Sequence, residues 1–181
     1  AWSTKLPAES HATPVPVGDR IYVCAEPYTL VCLDRDGGGI LWQREHDRIG
    51  LMPEGQREAA RASRAEGERL QKESEPLRRE LRKVSRQLRR DQQNQELQNR
   101  QQELKQQIAD YNRNIAPHHE HLPPYTHPSN GHSSPTPAAT TEVVVALFNN
   151  GICAAYRPDG TRLWHRSVGK PFHGWGHSSS P

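Results

Sequence analysis

The chain has 181 residues, of which 33% are hydrophobic and 25% charged, a composition too polar for one uniformly packed globule of this length. Its formal net charge of +3 conceals a basic block at 54–116, where 15 Lys and Arg stand against 11 Asp and Glu. No run approaches the roughly 18 apolar residues of a membrane-spanning helix. The first residues, Ala-Trp-Ser-Thr, carry no targeting signal, so we expect a piece of a longer protein.

The chain opens with a segment that recurs near its end. Residues 11–44 and 132–166 both begin with His, two small residues and Pro, and both end with Leu-Trp-x-Arg. A third opening lies at the end of the chain and a third closing lies at its start. The repeat therefore marks three opening histidines and three closing tryptophans: His11, His132 and His177, and Trp2, Trp42 and Trp164. We expect a shared structural role for the histidines, with catalysis as the alternative.

Each repeat predicts a small antiparallel sheet. Its apolar runs are β-branched or aromatic and are separated by turns that contain Pro, Asn or Gly. The predicted strands are 21–23, 29–33 and 40–42 in the first repeat, and 143–145, 152–156 and 162–164 in the second. One such sheet has two apolar faces, and stacking successive sheets face to face buries them, as in the blades of a propeller.

The combination of a Leu-x-x-x-Asp strand end, an Asp-Gly turn and a closing Leu-Trp resembles the repeat of the pyrroloquinoline-quinone-like (quinoprotein-type) β-propellers. The resemblance implies an incomplete fragment of four-stranded antiparallel blades. Residues 1–50 would hold the end of one blade and most of the next, and 131–181 a blade and the start of another. It further implies that the closing tryptophans pack between blades, and that the protein lies in the periplasm or cell envelope.

The block at 54–116 lacks a β pattern and predicts an inserted antiparallel coiled-coil hairpin. Its apolar residues occupy heptad a and d positions in two runs, separated by a nine-residue step that breaks the phase of a single stripe. Residues that would face each other across the two runs, such as Leu81 and Leu104, have residue numbers with the same sum. Two helical arms that reverse direction near 90–95 would explain this symmetry. The predicted seam is Leu70, Leu77, Leu81, Val84, Leu88, Leu97, Leu104, Ile108, Tyr111 and Ile115.

Local signals refine the hairpin. Asp91 or Asn94 is expected to cap the second helix. Ser74 and Pro76 have the pattern of a cap and a first-turn proline, which predicts a kink or a helix restart after a less regular lead-in at 54–73. A single long helix that dimerises with another chain is the alternative.

Seven of the residues at 78–90 are basic and one is acidic. This stretch favours either a surface for a protein partner or solubilising charge. Nucleic-acid binding is disfavoured, because no aromatic side chain interleaves the cations and the second arm is nearly neutral.

The segment at 117–130 is rich in Pro and His and predicts a connector. His118, His119, His121 and His127 could together hold zinc, copper or nickel, but a Pro-rich loop is a poor scaffold for ligands, and we expect no metal. Cys24, Cys32 and Cys153 lack metal-ligand spacing. Cys24 and Cys32 lie on consecutive predicted strands and could approach each other, but buried thiols are their expected state.

These features favour a non-catalytic propeller segment that acts as a protein-interaction scaffold, with the basic hairpin as the partner surface and no cofactor. The alternative is part of a quinoprotein dehydrogenase, which would bind pyrroloquinoline quinone with calcium. The visible aspartates, Asp19, Asp34, Asp36 and Asp159, stand where turns are predicted and give no positive sign of that activity.

Overall fold

In a computed structural model, residues 1–127, 129–169 and 179–181 are described. The chain divides into two compact units. The first combines 1–53 with 123–181 and contains all the strands, and the second is Glu54–Leu122 and contains the two long helices.

Two four-stranded antiparallel sheets form the first unit, each with its strands in chain order. The first sheet consists of β1 (Val15–Val17), β2 (Arg20–Ala25), β3 (Thr29–Asp34) and β4 (Ile40–Glu45), and the second of β5 (Ala138–Ala139), β6 (Val144–Leu147), β7 (Ile152–Tyr156) and β8 (Arg162–Ser167). Both sheets also have a register shift just before the turn that joins their last two strands, after Cys32 and after Ala155. The repeat in the sequence is therefore a repeat of strands, turns and irregularities.

The two sheets pack face to face around one apolar core. Alternate residues of the central strands of each sheet point into it, as the two-residue period of a strand requires. The buried members of this core are Tyr22, Cys24, Tyr28, Leu30, Cys32, Trp42, Val144, Ala146, Phe148, Ala154 and Tyr156. The opposite face of the first sheet packs separately, with Leu6 lying against Val23 and Val31. The prediction of two stacked antiparallel sheets is confirmed.

The described residues form two sheets, which fit a fragment of a propeller and do not close into a ring. A ring would require further sheets on both sides of this pair. The predicted start of another blade includes His177, which lies outside the described residues.

The second unit is a helical hairpin. Helix α1 runs from Glu54 to Leu88 and helix α2 from Gln95 to Ile115, followed by a 3₁₀ turn at Ala116–His118. The prediction of two helices is confirmed, against the alternative of one long helix. The side chain of Asn94 caps α2 by accepting a hydrogen bond from the backbone N–H of Leu97 at 3.1 Å.

The predicted irregular lead-in and restart near Pro76 are wrong, because α1 is one continuous helix with Pro76 inside it. Proline removes a single backbone donor, and neighbouring side chains stabilise this part of the helix. The Ser74 hydroxyl donates to the carbonyl of Gln71 at 2.8 Å instead of capping a new helix. Arg69 forms ion pairs with Glu66 and Glu73, one turn away on either side.

None of the helices among the described residues is both long enough and apolar enough to cross a membrane.

Candidate functional site

The closing tryptophan of the first sheet joins it to the second. Trp42 is 8% exposed, its ring centroid lies 5.9 Å from that of Tyr156, and its indole N–H donates to the carbonyl of Pro158 at 2.8 Å. The ring covers Gly160, where an added Cβ would come within 2.9 Å of the indole. Gly160 also has a φ of +84°, which side chains disfavour. Glycine at this turn thus makes room for the tryptophan of the neighbouring sheet.

Trp2 occupies the corresponding place on the first sheet. Its indole N–H donates to the carbonyl of Arg35 at 2.9 Å, and its ring lies 2.5 Å from where a Cβ on Gly38 would be. Gly38 has a φ of +75° and precedes Trp42 by as many residues as Gly160 precedes Trp164. Trp42 therefore binds the Gly turn of the neighbouring sheet, and Trp2, which precedes the first described strand, binds the Gly turn of the first sheet in the same way.

Trp164, the third closing tryptophan, is 40% exposed. It lies on β8, paired in register with Ala155. Its predicted packing between blades requires a following sheet and stays a prediction.

A buried histidine that the sequence analysis did not single out connects the two sheets. His46 is 2% exposed. Its Nδ1 lies 3.0 Å from the carbonyl oxygen of Tyr28, and its Nε2 lies 2.9 Å from the Tyr156 hydroxyl. A carbonyl can only accept, so Nδ1 carries the proton and Nε2 accepts from the tyrosine. The ring also stacks on Phe148, with centroids 4.7 Å apart.

Burial lowers the pKa of His46 to about 4, with Arg162 and His165 adding repulsion, although hydrogen bonds to Tyr28 and Arg44 oppose the shift. Burial also raises the pKa of the Tyr156 hydroxyl. Both groups are neutral at pH 7 as a result. Their hydrogen bond joins the two sheets, because His46 follows β4 and Tyr156 lies on β7.

Glu26 links the first sheet to the start of the second repeat, and sequence reasoning missed it as well. Its carboxylate accepts from the backbone N–H groups of His132 and Ser133, both at 2.8 Å, and from the Ser133 hydroxyl at 2.7 Å. The Ser133 hydroxyl oxygen also accepts from the backbone N–H of His11 at 3.3 Å. Two opening histidines, His11 and His132, thus lie at this junction through their backbones.

The predicted seam residues line the inside of the hairpin to different degrees. Leu70 and Ile115 pack with Leu122 in one cluster that Tyr111 borders. Buried members are Leu70, Val84, Leu104, Ile108 and Ile115, and half-buried members are Leu77, Leu81, Leu88, Leu97 and Tyr111. Polar bonds join the helices along their length, from Arg78 to Asn112 at 2.6 Å and from Gln101 to Ser85 at 3.1 Å.

One side of the outer part of α1 is strongly basic. Arg79, Arg82, Lys83, Arg86 and Arg90 line a shallow depression of about 300 Å³, together with Gln87. Glu75 pairs with Arg79 at 3.5 Å and with Arg82 at 3.0 Å. We call these five cations the basic row. The side chains of Arg79 and Arg82 remain 75% and 56% exposed, so a ligand could reach them without rearrangement of the helix.

The histidines at 117–130 do not gather into a metal centre in the part of the chain that the structure describes, where no group of three or more possible ligands comes together. His118 belongs to the hairpin, with Nδ1 2.9 Å from the Ser63 hydroxyl and Cβ against Gly67. The Nδ1 of His127 accepts from the backbone N–H of Ser129. His119 and His121 lie in the turns after α2.

The described residues do not fit a quinone with calcium. A calcium site needs several carboxylates on one ion, whereas Asp34 accepts from the backbone N–H of Gly37 and Asp159 from that of Thr161. The buried Trp42 has no free face for a second ring system. Burial raises the pKa of Cys24 to about 12, which makes its thiol a small hydrophobic group.

Comparison with known families agrees with the geometry of the first sheet. Residues 1–77 match the family model described as outer membrane protein assembly factor BamB, a pyrroloquinoline-quinone-like repeat model. Residues 1–77 are therefore similar to the pyrroloquinoline-quinone-like propeller repeat. The match contains the Trp2 contact, the first sheet and the first two-thirds of α1, whereas the second sheet lies outside it and resembles the first through the internal repeat. Neither the curated proteins nor the solved structures contain a significant match.

Proposed function

We propose that this pyrroloquinoline-quinone-like repeat protein is a non-catalytic scaffold outside the cytoplasm that binds another protein through its coiled-coil hairpin. The observation that carries the proposal is the basic row, which is exposed on a helix whose other side is packed against α2. The description of the matched family, an assembly factor of outer membrane proteins, supports a role in binding proteins and the extracytoplasmic location.

The packing of the two sheets supports the non-catalytic part of this proposal. Their shared core contains aromatic rings, and hydrogen bonds cross it from Tyr156 to His46 and from Trp42 to Pro158. Groups used in this way have no capacity left for substrate. Binding is therefore assigned to the hairpin, where cations stand in excess of their counter-ions.

Photo-crosslinking in the full-length protein tests the proposal. A benzophenone side chain in place of Gln87, between the cations of the basic row, should give an adduct of defined mass with one partner. The same replacement at Gln102, an exposed glutamine on α2, is the matched control. Excess unmodified protein should abolish the Gln87 adduct. Equal adducts from both positions, or none from either, would contradict a partner surface on α1.

A quinoprotein dehydrogenase remains the second candidate, favoured by the repeat family alone. The full-length protein can be mixed with pyrroloquinoline quinone, calcium and an alcohol or aldose, and reduction of a redox dye followed. The scaffold proposal expects no reduction above that without protein. Reduction that requires all the components would establish the enzyme instead.

A further inference from the structure

The basic row has a definite geometry. Arg79, Lys83 and Arg86 follow one another at steps of four and three residues on one side of α1, and Arg90 continues the series four residues later, in the turn directly after the helix. From Arg79 to Arg86 the row extends roughly 10 Å along the helix axis, at about 1.5 Å per residue. Among the ion pairs described on the hairpin, Glu75 is the one carboxylate that reaches it, leaving an excess of four positive charges.

Other arginines of the hairpin show which groups such cations bind. Arg69 pairs with Glu66 and Glu73, and Arg100 pairs with Glu80 of the opposite helix at 2.7 Å and with Glu103 at 2.6 Å. In three of these four pairs the guanidinium binds a carboxylate three or four residues away on its own helix, and in the fourth it binds a carboxylate of the facing helix. Four of the five cations in the row are arginines, the side chain best shaped for bidentate binding of carboxylates.

Other anionic partners fit less well. A pair of packed helices is roughly 20 Å wide, so the hairpin cannot enter a DNA major groove of about 12 Å. A helix that lies in a membrane surface needs an exposed apolar face, and the apolar side of α1 already packs against α2. The tip at 89–94, with the sequence RRDQQN, has no apolar residue to insert into a bilayer.

We infer that the basic row of α1 is a docking site for an acidic helix whose glutamates recur at steps of four, three and four residues. Such a helix would lie alongside α1 and place one carboxylate opposite each of Arg79, Lys83, Arg86 and Arg90. This inference rests on the proposed function, since it names the chemistry of the partner that the hairpin binds. The spacing of the glutamates, and not only their number, determines recognition.

The direct test uses a fluorescent helical peptide of about 20 residues with four glutamates at the matching steps, in an otherwise Ala- and Gln-based sequence. A second peptide has the same composition, with its glutamates distributed around the helix. Anisotropy titrations with the full chain should show the matched peptide binding roughly tenfold more tightly than the distributed one, with an affinity that decreases as salt increases.

Variants locate the site. The triple change Lys83→Gln, Arg86→Gln and Arg90→Gln, which breaks none of the ion pairs described above, should weaken binding of the matched peptide roughly tenfold. The control triple Arg61→Gln, Lys72→Gln and Lys105→Gln removes the same charge elsewhere on the hairpin and should change the dissociation constant less than about threefold. Unchanged circular dichroism of both variants shows that the helices persist.

Equal binding of the two peptides, or equal loss in the two variants, overturns the inference in favour of unspecific charge attraction. Tighter binding to phosphatidylglycerol vesicles or to duplex DNA through the same three cations overturns it in favour of a lipid or nucleic-acid surface. If Gln87 crosslinks to a protein but neither peptide binds, the acidic helix is wrong and the proposed function stands. If Gln87 gives no adduct, the proposed function fails.

Discussion

The seam between the sheets and the seam between the helices bury very different surfaces. Among the described residues, the sheets share a cluster of eleven buried residues with four aromatic side chains besides Trp42, whereas the hairpin has a buried cluster of three, Leu70, Ile115 and Leu122. The sheet seam completes its polar bonds inside, as His46 does with Tyr28 and Tyr156. The hairpin places its polar bonds outside, between exposed Arg and Glu side chains.

This difference indicates which seam tolerates change. A close-packed seam loses both contacts and buried hydrogen bonds when one ring is removed. Exposed ion pairs contribute little each, typically about 0.2–1 kcal/mol, because water and salt screen them. The sheets are therefore suited to maintain shape, and the hairpin surface can change its charges without loss of the fold.

The largest effect is expected from the tryptophan of the sheet seam. Trp42→Ala should lower the free energy of unfolding by about 3–5 kcal/mol, because it empties a buried site and leaves the Pro158 carbonyl without its donor. Urea denaturation measures this loss of unfolding free energy. Trp164→Ala, at the same place in the second repeat but 40% exposed, should cost about 1 kcal/mol. Equal losses would mean that the two tryptophans have equivalent surroundings.

The histidine in the seam should make stability depend on pH. Its pKa is about 4 in the folded chain and 6.5 in the unfolded chain, so below pH 6.5 the unfolded state takes up the proton first. Stability from this group is complete above pH 6.5 and decreases by about 3 kcal/mol as the pH falls to 4. Unfolding free energies of the wild type and of His46→Gln, compared from pH 7 to pH 4, isolate this contribution. Parallel curves would contradict it.

The carboxylate at the junction of the repeats should contribute less. Glu26→Gln exchanges one acceptor oxygen for an amide that cannot accept from His132 and Ser133, and should cost about 2 kcal/mol. Glu9→Gln, for which no side-chain bond is described, is the control. A shift of the urea midpoint in both variants alike would remove any special role for Glu26.

The smallest effect is expected in the hairpin. Asn94→Ala removes the cap of α2 and should cost about 1 kcal/mol of helix stability, visible as a lower melting midpoint of the helical circular dichroism signal. Gln93→Ala, one residue earlier in the same turn, should leave it unchanged. A larger loss from Gln93 would place the helix start elsewhere.

The sheets were the more predictable region because a repeat gives each strand twice. The runs around Tyr22 and Val144 alternate toward a buried face, and the turns contain the glycines that the backbone requires. The hairpin reversal was predictable from the phase break between Leu88 and Leu97. The course of α1 through Pro76 was not, because local capping signals at Ser74 competed with a long series of favourable helical residues.

The residues that connect the sheets were less visible in the sequence. His46 follows the closing Leu-Trp-x-Arg by only two positions, but its partners Tyr28 and Tyr156 are distant in the chain, and only packing brings them together. The same holds for Glu26 and Ser133. A buried pair of polar residues that are distant in the chain leaves no periodic pattern in the sequence. The basic row does leave such a pattern, because its steps of three and four residues match the period of a helix.

Amide hydrogen exchange tests most directly whether the two sheets open as one cooperative unit and whether the hairpin opens at a lower free energy. Peptides from β2–β3 and β6–β7 should exchange with the same free energy of opening and lose protection together in Trp42→Ala. In the hairpin, 104–115 should exchange more slowly than 89–100, because Ile115 packs in the apolar cluster and the tip does not. Different protection of the two sheets in the wild type, or a tip as protected as β3, would contradict this account.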